Sequence, residues 1–156
     1  MVRAPEQRLS LMYYPDLTPY CYLERESASN VLNVGWLDIE HPFPKRKASE
    51  ELLDVLFETC RHVVIQTRGF HECELCDVAS FGVEVSRNGQ TRRLGSAEIR
   101  VKGKDGIRYA APDLIYHYVA EHDYDPPKEF VEAVLQRSIL RRIFGILRRL
   151  TNLRTF

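Results

Sequence analysis

The sequence predicts an α+β domain: an antiparallel sheet, read as a meander, covered by helices. Three observations point to it. Short β-branched and aromatic runs separated by Gly-containing turns recur between residues 63 and 111, and amphipathic stretches flank them on both sides. A chain of 156 residues, 44 % hydrophobic and 28 % charged, also has the size and make-up of one ordinary globular domain. No repeat, low-complexity tract or Gly/Ser linker divides it, so residues 1–136 read as one domain and 137–156 as its helical extension.

Residues 9–40 read as extended. Leu11-Met12-Tyr13-Tyr14 and Tyr20-Cys21-Tyr22-Leu23 are aromatic-rich runs broken by Pro15 and Pro19, the pattern of edge strands or loops. Val31 to Leu37 alternates apolar and other residues as a half-buried strand does. His41-Pro42-Phe43-Pro44 cannot be helical, because each proline removes a donor and restricts the residue before it. Ser49 then caps a helix carrying Glu50 and Glu51 in its first turn and Leu52, Leu53, Val55 and Leu56 on its apolar face, up to about Cys60. Four strands are expected next, at 63–67, 81–86, within Thr91–Lys102, and at 107–111, with Asn88-Gly89 making the first hairpin turn. A helix opens at Pro112-Asp113 and runs to about His122, and another begins at Pro127.

The stretch Gly69-Phe70-His71-Glu72-Cys73-Glu74-Leu75-Cys76 carries the plainest chemistry, with three soft ligands inside six residues. Zn²⁺ favours thiolate sulfur and neutral imidazole in a tetrahedral set, and a Cys-x-x-Cys turn lets two sulfurs share one ion. Buried, inert thiols are the plain alternative, but Glu72 and Glu74 interleave the ligands and make a poor core. A thioredoxin-type redox pair lacks the βαβ setting it needs. The expected zinc ligands are therefore His71, Cys73 and Cys76, with a fourth from elsewhere. In a strict meander the helix from Pro112 climbs back to the knuckle and delivers His122, placed ahead of His117 and of Cys60 at the far end of the first strand. Cys21, His62 or a water stay open for that position.

Several motifs in order resemble a group of small bacterial proteins described only as a domain of unknown function. They are Met12-Tyr13-Tyr14-Pro15-Asp16-Leu17, Asn33-Val34-Gly35-Trp36-Leu37-Asp38 with His41-Pro42-Phe43-Pro44, the Gly69-to-Cys76 stretch, and His117-Tyr118-Val119-x-x-His122-x-Tyr124-x-Pro126-Pro127-x-x-Phe130. The resemblance spans residues 11–135, implies a bacterial cytoplasmic protein, and draws attention to both His117 and His122. It implies no activity.

Compact His-x-Cys-x-x-Cys spacing favours a structural zinc and a non-enzymatic interaction, adaptor or immunity-type module, with no catalytic residue assigned. The alternative is a zinc-dependent hydrolase or deaminase-like enzyme moving protons through Glu72 or Glu121, although the ligand patterns of known zinc hydrolases and nucleobase deaminases are missing. From Arg137 onward there are six arginines and no acidic residue, which leaves the preceding chain with 16 basic against 22 acidic side chains. Ile143, Ile146, Leu147, Leu150 and Leu153 fall opposite Arg137, Arg141, Arg142, Arg148 and Arg149 on a helical wheel. This basic amphipathic helix is expected to mediate self-association or contact with a protein partner, ahead of a membrane surface and of nucleic acid. Four cysteines without an apolar leader, and no apolar run of spanning length, suit reduced thiols and a cytoplasmic location.

Overall fold

A computed structural model describes residues 13–22, 30–76, 82–137 and 139. Its elements run β1 (Val31–Asn33), α1 (Glu50–Thr59), β2 (Val63–Val64), β3 (Val83–Arg87), β4 (Gln90–Leu94), β5 (Glu98–Lys102), β6 (Arg108–Pro112) and α2 (Ile115–Glu121). Residues 128–137 add a further helix, α3. The class is α+β, as the sequence predicts.

The strands do not form one meander. They divide into a four-stranded sheet ordered β1-β6-β5-β2 and a separate hairpin of β3 and β4. Within the larger sheet β5 is antiparallel to both neighbours, whereas β1 joins β6 in parallel. The expected return strand from Thr91 to Lys102 breaks between β4 and β5, and Gly95 is the reason. Its φ of +107° lies where only glycine is comfortable, and a Cβ there would sit 2.5 Å from the His71 carbonyl oxygen. The chain leaving β2 occupies the space that a continuous strand would have used. Thr67 donates its N–H to Ser96 O at 2.7 Å, and His71 donates to Gly95 O at 2.6 Å.

Local chemistry accounts for the other elements. Ser49 caps α1, its hydroxyl accepting the Leu52 N–H at 3.2 Å. Asn88 and Gly89 both take positive φ, 51° and 73°, which closes the β3–β4 hairpin with a type I′ turn of the right twist. β1 stops at Asn33, shorter than expected, and Gly35 follows in the left-handed region. β2 keeps only two residues because Ile65 adopts φ +52°, a conformation that costs a β-branched residue about 1–3 kcal/mol. Pro112 and Asp113 do not open α2: Pro112 pairs with Glu98 as the last residue of β6, and the Asp113 N–H bonds to Ala97 O at 2.9 Å. The helix therefore begins at Ile115.

The core fills the space between the larger sheet and the helices. Leu56 of α1, Ile99 and Val101 of β5, and Ile115 and Val119 of α2 are fully or almost fully buried. Phe130 and Val134 bring α3 onto the same core, with Phe130 edge-on to Tyr109 at 5.8 Å between ring centroids. Burying each such side chain contributes roughly 1.5–3 kcal/mol. Among the described residues no helix is long and apolar enough to cross a membrane. The basic helix expected at 137–156 lies outside the described residues except for Arg137, which donates to Arg100 O at 3.4 Å, and Ile139.

Candidate metal centre

The break at Gly95 also fixes where the Cys-x-x-Cys turn lies. β2 runs antiparallel to β5, so the chain beyond β2 passes the N-terminal end of β5, where residues 67 and 71 are bonded to 96 and 95. β6 finishes at that same end, with Pro112 opposite Glu98. The turn and the start of α2 are therefore neighbours. A seven-residue helix rises only about 10 Å, which keeps both of its histidines within reach.

Cys73, Cys76, His117 and His122 come together so that one donor atom from each lies within 4.8 Å of all the others. Cys73 Sγ is 3.3 Å from His122 Nε2, Cys76 Sγ is 3.2 Å from His117 Nε2 and 3.4 Å from His122 Nε2, and the two Nε2 atoms are 3.2 Å apart. A neutral imidazole nitrogen has a single hydrogen or a single lone pair to offer, so His122 Nε2 cannot bond to three neighbours at once. Ligands around a common point give this pattern instead. A tetrahedral zinc with Zn–S of about 2.3 Å and Zn–N of about 2.0–2.1 Å separates its donors by roughly 3.3–3.8 Å. Four of the donor separations, at 3.2–3.4 Å, lie close to that range, and the cluster could hold a metal ion.

His117 and His122 are five apart, which on a continuous helix turns them about 140° from each other. The helix ends in time to remove that obstacle. His122 is its C-cap at φ −112°, Asp123 takes φ +55°, and the Tyr118 carbonyl accepts N–H groups from both His122 and Tyr124. The His122 ring folds back over the helix end and meets His117 at 82° between ring planes.

Burial sets the electrostatics. It pushes the Cys73 thiol up to about 12, against the Leu75 and Cys76 backbone N–H groups that pull it down. It lowers His117 to about 4, helped by the neighbouring His122, and it lowers His122 as well. Without a cation the cluster thus favours neutral imidazoles, the metal-binding form, and a protonated Cys73; a divalent ion would reverse the preference at sulfur.

The structure brings together three of the four expected ligands and a different fourth residue. Cys73, Cys76 and His122 converge as anticipated, but His71 is not in the group, and His117 takes the place assigned to it. The His71 backbone is tied to Gly95, and the residue lines a separate cavity. Cys60 is buried elsewhere, its thiol donating to Asp113 O at 3.5 Å, and Cys21 is exposed. A signal for His117 was present: Cys73-x-x-Cys76 followed by His117-x₄-His122 has the internal spacings of a Cys₂His₂ site, with a longer insert between the pairs.

An open groove of about 630 Å³ runs along one side of the cluster, lined by Cys76, His117 and His122 and by Glu84 and Glu121. Cys73 faces inward and is 5 % exposed.

Comparison with known proteins agrees with the motifs. No curated protein and no solved structure matches the chain. A family model described as "Domain of unknown function (DUF7919)" matches residues 12–135, a stretch that contains all four clustered residues. On that match the chain belongs to the DUF7919 family.

Proposed function

We propose that Cys73, Cys76, His117 and His122 hold Zn²⁺ in a closed structural site, and that the domain is a non-enzymatic binding module. The observation that carries this reading is the convergence of three donors on His122 Nε2 at 3.2–3.4 Å, which hydrogen bonding cannot satisfy. Four protein donors complete a tetrahedron and leave no position for water or substrate. The arginine-rich C-terminal segment is the proposed contact with a protein partner or a second copy of the chain, its charge complementary to an acidic body.

A second reading, a zinc-dependent hydrolase, is favoured by the groove beside Cys76 and the histidines, where Glu121 could carry protons. Glu72, the other carboxylate considered for that role, lines the separate cavity. Cobalt substitution decides between the readings. A visible spectrum of intense tetrahedral Co²⁺ bands with thiolate charge transfer, unchanged by excess azide, is expected of the closed site. A spectrum that shifts with azide would show an exchangeable position and replace the structural reading with the enzymatic one. Protein purified under reducing conditions without chelator that contains no zinc and takes up no cobalt would overturn both.

A further inference from the structure

The cavity that His71 lines is a separate feature. It encloses about 50 Å³ and lies where the β2–β5 edge meets the start of α2. Three carboxylate residues line it, the half-buried Glu72 and the buried Glu98 and Asp113, together with Tyr22, Trp36 and Tyr118. Glu98 and Asp113 are each 3 % exposed, so both groups were taken almost wholly out of water.

The two buried carboxylates are treated differently by the fold. Glu98 is satisfied internally, accepting from the Tyr20 hydroxyl at 2.8 Å and pairing with Arg100, whose guanidinium also stacks over the Tyr20 ring. Asp113 receives the Gly95 N–H at 2.8 Å and backbone N–H groups of Ser96, Ala97 and Leu114, but no lysine or arginine among the described residues pairs with it. Burial accordingly pushes its carboxyl up to about 6, against the backbone N–H groups that lower it. The fold thus holds a buried carboxyl group on backbone N–H groups, with no lysine or arginine paired to it among the described residues.

The aromatic side chains specify what kind of charge would suit the space. Trp36 and Tyr22 pack at 5.4 Å between centroids, and their ring faces attract cations through their quadrupoles. Trp36 is held in place by its indole N–H, which donates to Ala110 O at 3.1 Å. A strongly hydrated metal ion gains little from such walls, whereas an organic cation gains both the rings and the carboxylate. A volume of about 50 Å³ suits a headgroup of a few heavy atoms.

We infer that this cavity binds an organic cation, a primary ammonium or guanidinium headgroup, with Asp113 as its counter-ion and Trp36 and Tyr22 as its aromatic wall. The headgroup belongs either to a free amine or to a lysine or arginine side chain of a peptide. The site does not depend on the metal reading, since none of the four clustered donors lines the cavity.

Trp36 is the only tryptophan in the chain, so its fluorescence reports on the cavity. The protein would be titrated with methylammonium and guanidinium chloride, and separately with N-acetyl-arginine amide and N-acetyl-lysine amide, against sodium chloride at matched ionic strength. Saturable change with half-saturation of about 1–10 mM is expected for the small cations, the range for a ligand of so few atoms. At least tenfold tighter binding of a blocked amino acid would assign the site to a peptide side chain, and equal or weaker binding to a free amine. Asp113→Asn is expected to weaken binding at least tenfold while thermal unfolding stays cooperative. The inference is overturned if wild-type fluorescence follows sodium chloride alone up to 50 mM, a test that needs no variant. It is equally overturned if folded Asp113→Asn protein binds as well as wild type.

Discussion

Replacing His117 and His71 separately by alanine tests the metal centre most directly, because sequence proximity and three-dimensional convergence select different residues. His117 Nε2 lies 3.2 Å from both Cys76 Sγ and His122 Nε2, whereas His71 is outside the cluster. A structural zinc is worth about 10–16 kcal/mol of binding free energy, which averages to roughly 3 kcal/mol for each of four donors. His117→Ala should therefore weaken zinc about 100-fold or more, and His71→Ala by less than threefold. The assay is competition with a chromophoric chelator at fixed pH. His117 is 6 % exposed, so truncating it also costs packing, and parallel denaturation in excess chelator isolates that part. Equal affinities for His117→Ala and wild type, or a large loss in His71→Ala, would refute the reasoning.

Three further outcomes follow from the geometry. Gly95→Ala would drive a Cβ to within 2.5 Å of the His71 carbonyl oxygen at φ +107°, so chemical denaturation should show a loss of about 1–3 kcal/mol, with weaker zinc binding because the Cys-x-x-Cys turn is displaced. Tyr124→Phe removes a buried hydroxyl that donates to Asp16 at 2.7 Å and should cost about 1.5–3 kcal/mol, with a double-mutant cycle against Asp16→Asn giving the coupling. The third concerns pH in metal-free protein. Asp113 titrates at about 6 in the fold against 3.8 ordinarily, so its stabilising contribution is complete below pH 4 and disappears as pH rises through 6. His117, lowered to about 4, acts in the opposite sense: its contribution is present above its ordinary 6.5 and lost as pH falls through 4. Wild type alone would show the two partly cancelled. The stability of Asp113→Asn relative to wild type should accordingly be more favourable at pH 7.5 than at pH 4 by about 2–3 kcal/mol, and a flat difference in urea titrations would refute it.

Much of the fold was legible because local chemistry dictates it. Ser49 with two acidic residues behind it marks a helix start, Asn88-Gly89 admits few conformations other than a hairpin turn, and Phe130 with Val134 marks a helix face. The division into two sheets was not legible, since it depends on which strand takes the edge of β5. That choice is a long-range competition, decided by the close approach of His71 to Gly95. The same limit governed the site. Adjacency drew His71 into the expected ligand set, and the continuous meander that selected His122 ran the strands in the wrong directions. His122 nevertheless reaches the cysteines, because α2 starts at their end of the sheet and is short. What sequence spacing alone does not convey is the helix stop at Asp123, which swings the two imidazoles onto one point.

The four clustered donors come in two pairs far apart along the chain, Cys76 and His117 being separated by 41 positions and Cys73 and His122 by 49. An ion gripping both pairs would be a cross-link. Closing a loop of that length removes roughly 4 kcal/mol of conformational freedom from the unfolded chain if counted as a disulfide is. The cross-link encloses β3, β4, β5 and β6, so with the ion in place the hairpin and half of the larger sheet could unravel only into a closed loop of restricted freedom. Chelators, and oxidants that consume thiolates, would then lower the stability of the folded domain as well as the occupancy of one site.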